Sequence, residues 1–182
     1  MTTLRRILAA VPVALTLTAA AAHAQATTTT RPVSFGLSGG LTLPTGDIGD
    51  AVESGYNVGG LLEFARPASP IAFRVEVDYQ RFGSKLDLPG AGDLRVISGA
   101  ANVLYKFAGQ TARPYLLGGV GLFNSASTAE DSESETDFGL NLGAGLEVPL
   151  SGITVFGDVR YQPIFSSPEK VNLVPIRVGI RF

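Results

Sequence analysis

Apolar and polar residues alternate along the C-terminal stretch of the chain. Between positions 174 and 182 the even positions are apolar, from Val174 to Phe182, whereas Arg177 and Arg181 occupy odd positions. Alternation with a period of two predicts a β-strand with one apolar and one polar face. About 9 to 11 such residues cross a bilayer as a tilted strand. The stretch therefore predicts a strand long enough to span a membrane.

Six earlier segments show the same kind of alternation and a seventh, 113–124, is apolar on both faces, so we predict eight strands in all. These strands cover residues 33–43, 57–66, 71–82, 95–107, 113–124, 137–148, 153–163 and 172–182. The connections between them alternate between long and short, and Pro, Gly and Ser mark the short ones as tight turns. An even number of strands with this rhythm is typical of an all-β, antiparallel, up-and-down transmembrane barrel.

The polar face of the predicted strands carries charges of both signs. Five acids and five bases share it: Glu63, Arg74, Glu76, Asp78, Lys106, Glu147, Asp158, Arg160, Arg177 and Arg181. An eight-stranded barrel has an interior only wide enough for its own side chains. We therefore expect these ten residues to fill the lumen as a charge network with no continuous path for water.

Aromatic residues on the apolar face gather near the strand ends. One predicted belt consists of Phe35, Phe64, Phe73, Tyr105, Phe107, Tyr115 and Phe182, and the other of Tyr79, Phe123, Phe138 and Tyr161. Two such belts are typical of the two interfaces of a membrane. The segment 113–124 is apolar on both faces, so its register is assigned from Tyr115 and Phe123. The belts favour a lipid-facing wall over a soluble barrel with an apolar pocket.

The N-terminal residues have the pattern of a secretory signal. Arg5 and Arg6 precede an apolar stretch, 7–22, and Ala22-His23-Ala24 forms a small-x-small cleavage site. We predict a signal peptide over 1–24, a flexible arm over 25–32 and a barrel domain over 33–182. Without Arg5 and Arg6, 12 bases and 16 acids remain, and this mildly acidic balance argues against a nucleic-acid partner.

The alternating last strand with its terminal Phe182 resembles the assembly signal of bacterial outer-membrane barrels. Together with the turn at Pro44-Thr45-Gly46-Asp47 and the opening Pro114-Tyr115-Leu116, it is similar to the small barrels of the OmpA/OmpX type. The resemblance covers 33–182. It implies an outer-membrane location among lipid and lipopolysaccharide, recognition of the last strand by the barrel-assembly machinery, and a monomer. Nothing follows Phe182, so a peptidoglycan-binding domain is not expected.

Candidate catalytic groups are sparse. Barrels of this size that hydrolyse or transfer acyl chains resemble one another in using a His near a Ser and a carboxylate, but the only His is His23 and the chain has no Cys. Glu76 and Asp78 share a strand face and could in principle do acid–base work, although a structural role in the lumen is the simpler interpretation. We therefore predict no enzyme and no cofactor.

A cluster of acidic residues is the one candidate for a metal site. It consists of Glu130, Asp131, Glu133, Glu135 and Asp137, and it could collect divalent cations, but it lacks the spacing of a Ca²⁺-binding loop. We interpret it as a solvated surface loop and predict no metal. The predicted role is envelope structure or surface contact through the outer loops. The alternatives are a narrow channel for ions or small solutes and a soluble periplasmic ligand-binding barrel.

Overall fold

A computed structural model describes residues 32–46, 52–83, 93–127, 134–166 and 171–182. The predicted signal peptide, its cleavage site and nearly all of the predicted arm lie outside these residues, as do Glu130, Asp131 and Glu133 of the acidic cluster. In the described ranges, no helix has the length and apolar character needed to cross a membrane.

Eight antiparallel strands make up the described fold, which confirms the predicted strand number. They are β1 Val33–Thr45, β2 Gly55–Ala65, β3 Ile71–Phe82, β4 Leu94–Lys106, β5 Arg113–Ser127, β6 Glu135–Pro149, β7 Thr154–Ile164 and β8 Val171–Arg181. The predicted bounds agree for β3 and differ by one to three residues at some ends of the others. The largest difference, three residues, is at the end of β5, where polar residues continue the ladder with β6 and Ser125 lies opposite Glu135. Cross-strand pairing sets these ends, and local composition does not reveal it.

The strands close into a barrel in sequence order, because β1 pairs with both β2 and β8. At the closing seam the backbone N–H of Phe182 donates to the carbonyl of Phe35 at 2.8 Å. The rings of the same two residues stack with their centroids 5.2 Å apart. Closure leaves no unpaired sheet edge, which is the condition for β-structure in hydrocarbon. The predicted eight-stranded antiparallel barrel is therefore confirmed.

The two ends of the barrel differ in their connections. Segments 66–70, 107–112 and 150–153 link strands at one end, here called the short-turn end. Segments 46–54, 83–93, 128–134 and 165–170 link them at the other, the long-loop end. In outer-membrane barrels the longer loops face outward from the cell.

Side chains on the outer wall are mainly apolar and exposed. Val77 is 60% exposed and Phe73 is 58% exposed, and alternate residues along each strand follow the same pattern. The residues between them point inward and are buried, as Arg74, Glu76 and Asp78 show on β3. An apolar wall around a polar interior reverses the arrangement of a soluble barrel and suits a lipid environment.

The predicted register of β5 is wrong. Tyr115 and Phe123, which were expected on the outer wall, are 1% and 0% exposed and point into the lumen. Glycines on β6 make this orientation fit, because a Cβ atom on Gly145 would collide with the ring of Tyr115, and one on Gly139 with the ring of Phe123. Both faces of β5 are apolar, so alternation gave no signal, and facing glycines on a neighbouring strand decide the register.

Candidate functional site

The candidate site is the lumen, because ten charged side chains from six strands meet there. Nine of them are buried and Lys106 is partly exposed. The structure thus brings together every residue predicted for the lumen: Glu63, Arg74, Glu76, Asp78, Lys106, Glu147, Asp158, Arg160, Arg177 and Arg181. Five positive and five negative charges leave the interior balanced.

Four of these charges form a ring towards the short-turn end. Lys106 Nζ lies 2.6 Å from Glu63 Oε1 and 2.9 Å from Glu147 Oε2. Arg181 reaches the same two carboxylates, with Nη1 2.6 Å from Glu63 Oε1 and Nη2 3.0 Å from Glu147 Oε2. Each cation therefore joins both anions, and the ring crosses the barrel from β2 and β4 to β6 and β8.

Arg74 connects this ring to the centre of the barrel. Its Nη2 lies 2.7 Å from Glu63 Oε2, and its Nη1 lies 3.7 Å from Asp158 Oδ2 without an aligned hydrogen bond. Its guanidinium carbon also lies 5.4 Å from the ring centroid of Tyr115 and 5.1 Å from that of Phe156. Aromatic rings attract a cation most strongly where water is excluded. The inward Tyr115 thus stabilises a buried cation, and its hydroxyl donates to Asp158 Oδ2 at 2.9 Å.

Five further charges form a cluster at mid-height in the lumen. Arg160 donates to both carboxylate oxygens of Glu76 and, through Nε, to Asp158 Oδ1 at 2.9 Å. Arg177 donates through Nη1 to Asp78 Oδ1 and through Nη2 to Glu76 Oε1, both at 2.9 Å. Because a lone buried charge is costly, these shared contacts are what allow the carboxylates of Glu76, Asp78 and Asp158 to lie side by side.

Uncharged polar side chains continue the network towards the long-loop end. Asn102 donates to Glu76 Oε2 at 2.7 Å, and Asn141 donates to Asn102 Oδ1 at 3.1 Å. Gln162 in turn donates to Asn141 Oδ1 at 2.8 Å. Gln80, Thr42 and Asn57 extend the hydrogen bonding across the barrel. A continuous hydrogen-bonded layer therefore lies between the charges and the outer mouth.

An apolar cluster fills the lumen at the long-loop end, and we name it the outer plug. It consists of the buried residues Phe82, Val96, Phe123, Ile164 and Leu173. Val52, Leu94 and Val171 pack against it. Sequence reasoning missed this cluster, because each strand contributes only one of its members. The one available signal was a shared parity with the polar lumen residues of the same strand, which holds for Phe82, Val96, Ile164 and Leu173.

The three layers fill the interior from the charged ring to the outer plug. Each of the ten lumen charges lies within 3.1 Å of an oppositely charged partner. Truncating one member would leave others buried without full compensation. The arrangement is suited to holding the barrel rigid and closed.

The predicted aromatic belts divide between the two faces. The structure places nine of the predicted residues on the outer wall: Phe35, Phe64, Phe73, Tyr79, Tyr105, Phe107, Phe138, Tyr161 and Phe182. Several of them meet in pairs, including Tyr105 with Phe107 at the short-turn end and Phe138 with Phe165 at the long-loop end. Tyr115 and Phe123 belong to the lumen instead, as described above.

Metal ligation finds no geometric support in the part of the chain that the structure describes. No group of three or more His, Cys, Asp or Glu side chains converges there on a common point. Of the acidic cluster, Glu135 and Asp137 lie at the start of β6, at the long-loop end. Glu76 and Asp78 are both paired with arginines in the lumen.

A closed barrel of eight strands with an apolar wall and a filled polar lumen defines a small outer-membrane barrel. The chain belongs to the family described as the outer membrane protein beta-barrel domain, whose model matches residues 13–182. This confirms the resemblance inferred from the last strand, and the protein is located in the outer membrane. No curated protein matches the chain in sequence.

Solved structures of other outer-membrane proteins share the fold. The chain is similar to Neisserial surface protein A, with a TM-score of 0.67, 18% identity, and coverage of 83% of this chain and 96% of that one. It is also similar to Ail, the attachment invasion locus protein of Yersinia pestis, with a TM-score of 0.56 and 17% identity. This match covers 82% of this chain and 97% of Ail. The match to the outer membrane enzyme PagL has a TM-score of 0.51 and 15% identity, and it covers 82% of this chain and 98% of PagL. At these identities the likeness shows the fold alone.

Proposed function

We propose that this protein is a closed, non-enzymatic barrel that contributes to the structure of the envelope or to contacts at the cell surface. The observation that carries the proposal is the filled lumen. Among the described residues, the charge network, the amide layer and the outer plug occupy the lumen, and this supports a closed barrel. The parts of the molecule that remain available for recognition are therefore the outer wall and the long-loop end.

Two of the fold neighbours motivate the surface part of this proposal. One is named a surface protein and the other an attachment invasion locus protein. The neighbour PagL is named an enzyme, but the only His of this chain is His23, before the barrel, and the chain has no Cys. The barrel sequence therefore contains no imidazole or thiolate that could activate a nucleophile.

The role can be tested in cells by comparing a strain that lacks the protein with strains that carry either the parent or a loop variant. In the variant, residues 128–133 are replaced by a Gly-Ser segment of equal length. We expect loss of the protein to alter detergent resistance or adhesion to surfaces, without altering the uptake of small solutes. A variant that restores detergent resistance but not adhesion would assign the role to the loop. Uptake that falls without the protein and returns with it would contradict the proposal and favour a channel.

We further propose that residues 1–24 direct export and are removed, and that the last strand engages the barrel-assembly machinery. Phe182 supports the second point because it both ends the alternating strand and stacks on Phe35 at the closing seam. Deleting Phe182 should lower the folded, inserted fraction in cells several-fold, measured by heat-modifiable gel mobility.

The matched control for this deletion is Phe165→Ala. Phe165 is also an exposed aromatic residue at a strand end, but it lies at the long-loop end and away from the seam. Both variants should be refolded from urea into vesicles as well. A deletion that behaves like Phe165→Ala in cells would refute a signal in the last strand. If the deletion lowers the folded fraction equally in cells and in vesicles, the role of Phe182 is restricted to closing the barrel.

A further inference from the structure

The two ends of the barrel differ in charge. The four connections at the long-loop end contain nine acidic residues and two lysines. The three connections at the short-turn end contain no acidic residue, and neither do the residues that precede β1. Charges of one sign around an opening concentrate ions of the opposite sign there. A dissolved anion is therefore favoured at the short-turn end over the long-loop end.

Three basic side chains face the lumen at the short-turn end, and we name this opening the inner mouth. Lys106 and Arg181 belong to the ring of four charges described above. Arg113, the first residue of β5, borders this ring, because it has inward parity and is in register with Glu147 on β6. Lys106 and Arg113 are partly exposed, whereas the carboxylates of Glu63 and Glu147 are buried. The charge that meets the solvent at the inner mouth is therefore positive.

Arg113 is the member of the inner mouth that lacks a carboxylate partner. Its Nε donates to the carbonyl of Gly109 at 3.1 Å, and this ties the side chain to the neighbouring turn. Within the described ranges it forms no ion pair, and its two Nη groups donate no hydrogen bond. The carboxylate of the in-register residue Glu147 is already shared by Lys106 and Arg181, at 2.9 and 3.0 Å. Arg113 therefore has donors available for an external anion.

The ring beside Arg113 also has an excess of donors over acceptors. Three cations converge on the single carboxylate of Glu63: Arg74, Lys106 and Arg181. Lys106 Nζ and Arg181 Nη1 both lie 2.6 Å from Glu63 Oε1, so these nitrogens are at most twice that distance apart. The Nη1 group makes no aligned hydrogen bond. The main-chain carboxylate of Phe182 lies at the same end, but no ion pair joins it to a cation in the part of the chain that the structure describes.

We propose that the inner mouth binds a dissolved oxyanion of the periplasm, which presents a phosphate or carboxylate group to Arg113. The planar guanidinium group matches two oxygens of such an anion, and Lys106 and Arg181 add positive charge beneath it. A phospholipid headgroup has the same chemistry, but headgroups surround the outer wall, whereas all three cations face the lumen. This favours the dissolved source.

The site adds a third surface to the outer wall and the long-loop end, and it requires no passage through the closed lumen. It lies at the opposite end of the barrel from the loops of the proposed surface role. Failure of the loop variant to affect adhesion, with anion binding intact, would refute the surface role alone.

The test uses the full-length barrel, folded in phosphatidylcholine nanodiscs and titrated with inorganic pyrophosphate in a calorimeter. A salt concentration of about 10 mM keeps the screening of charges weak. Arg113→Gln should weaken the binding of pyrophosphate roughly tenfold, because a charge-assisted contact is lost. Arg113→Lys keeps the positive charge and should retain part of the affinity.

Arg66→Gln is the matched control. Arg66 is also an arginine at the short-turn end and is exposed, but it lies in the turn after β2 and is not in register with any residue of the ring. The affinity for pyrophosphate should not change in this variant. Circular dichroism and heat-modifiable mobility verify that each variant folds.

A parallel experiment distinguishes the dissolved source from the lipid source. The nanodiscs then contain a small fraction of phosphatidylglycerol, and retained lipid is counted by native mass spectrometry. The unmodified protein and Arg113→Gln should retain equal amounts. A loss of phosphatidylglycerol in Arg113→Gln would assign the site to a headgroup and overturn the proposal.

Three results of the titration would also overturn it. The first is the absence of pyrophosphate binding by the unmodified protein, and the second is unchanged affinity in Arg113→Gln. The third is an equal loss of affinity in Arg66→Gln and Arg113→Gln, which would mean that the overall charge of this end attracts the anion without a site.

Discussion

Replacing Arg160 with alanine is expected to lower the free energy of unfolding by about 3 to 5 kcal/mol, the range for breaking a buried ion pair from one side. Arg160 is 2% exposed and donates to both Glu76 and Asp158. Without it, these two carboxylates remain buried with fewer cations around them. Because the chain has no Trp, unfolding in urea from lipid vesicles is best followed by circular dichroism.

The exposed ion pair between Arg81 and Asp93 provides the control. Its side chains are 45% and 38% exposed, so Arg81→Ala should cost only about 0 to 1 kcal/mol. A second comparison uses the double variant Arg160→Met/Glu76→Gln, which removes one charge of each sign. Its free energy of unfolding should lie between those of Arg160→Ala and the unmodified protein. Equal costs for Arg160→Ala and Arg81→Ala would mean that the lumen charges do not stabilise the barrel as a network.

Replacing Leu142 with arginine is expected to cost about 2 to 4 kcal/mol of folding into a bilayer, the range for a basic residue on the lipid face at the midplane. Leu142 lies at the centre of β6, is 52% exposed on the outer wall, and stands opposite Gly118 and Tyr161. Arginine there would place its charge in hydrocarbon. Denaturant titration in phosphatidylcholine vesicles measures the difference.

Leu150→Arg is the matched control for this variant. Leu150 is also a leucine with half of its surface exposed, but it lies in the turn at the short-turn end. Arginine near the interface costs about 0 to 1 kcal/mol. Similar costs at both positions would contradict the assignment of Leu142 to the middle of the membrane.

The faces of most strands followed from the sequence because one physical rule governs them. Polar residues in a narrow barrel point inward and apolar residues point to lipid, so the alternation on β3 alone assigned Arg74, Glu76 and Asp78 to the lumen. The same rule could not assign the faces of β5, because the adjacent residues Tyr115 and Leu116 are both apolar enough to lie in the lumen or on the outer wall. The inward position of Tyr115 depends on Gly145 and Arg74, which belong to other strands.

The partners within the lumen also lay beyond sequence reasoning. Asp78 and Arg177 are separated by 99 positions and come from β3 and β8, yet their side chains meet at 2.9 Å. Parity places both inside the barrel, but only the stagger of all eight strands brings them to one height. The outer plug has the same origin, because Phe82, Phe123 and Leu173 become neighbours only when the barrel closes.

Single-channel recording shows whether the lumen of the barrel is closed. The unmodified protein, purified and inserted into planar bilayers, should give no steady current above the background of the bilayer at any applied voltage that the bilayer withstands. Arg160→Ala, which opens volume and leaves carboxylates without a partner, should increase ion leak. Large and stable currents from the unmodified protein would contradict the closed lumen and establish the barrel as a channel.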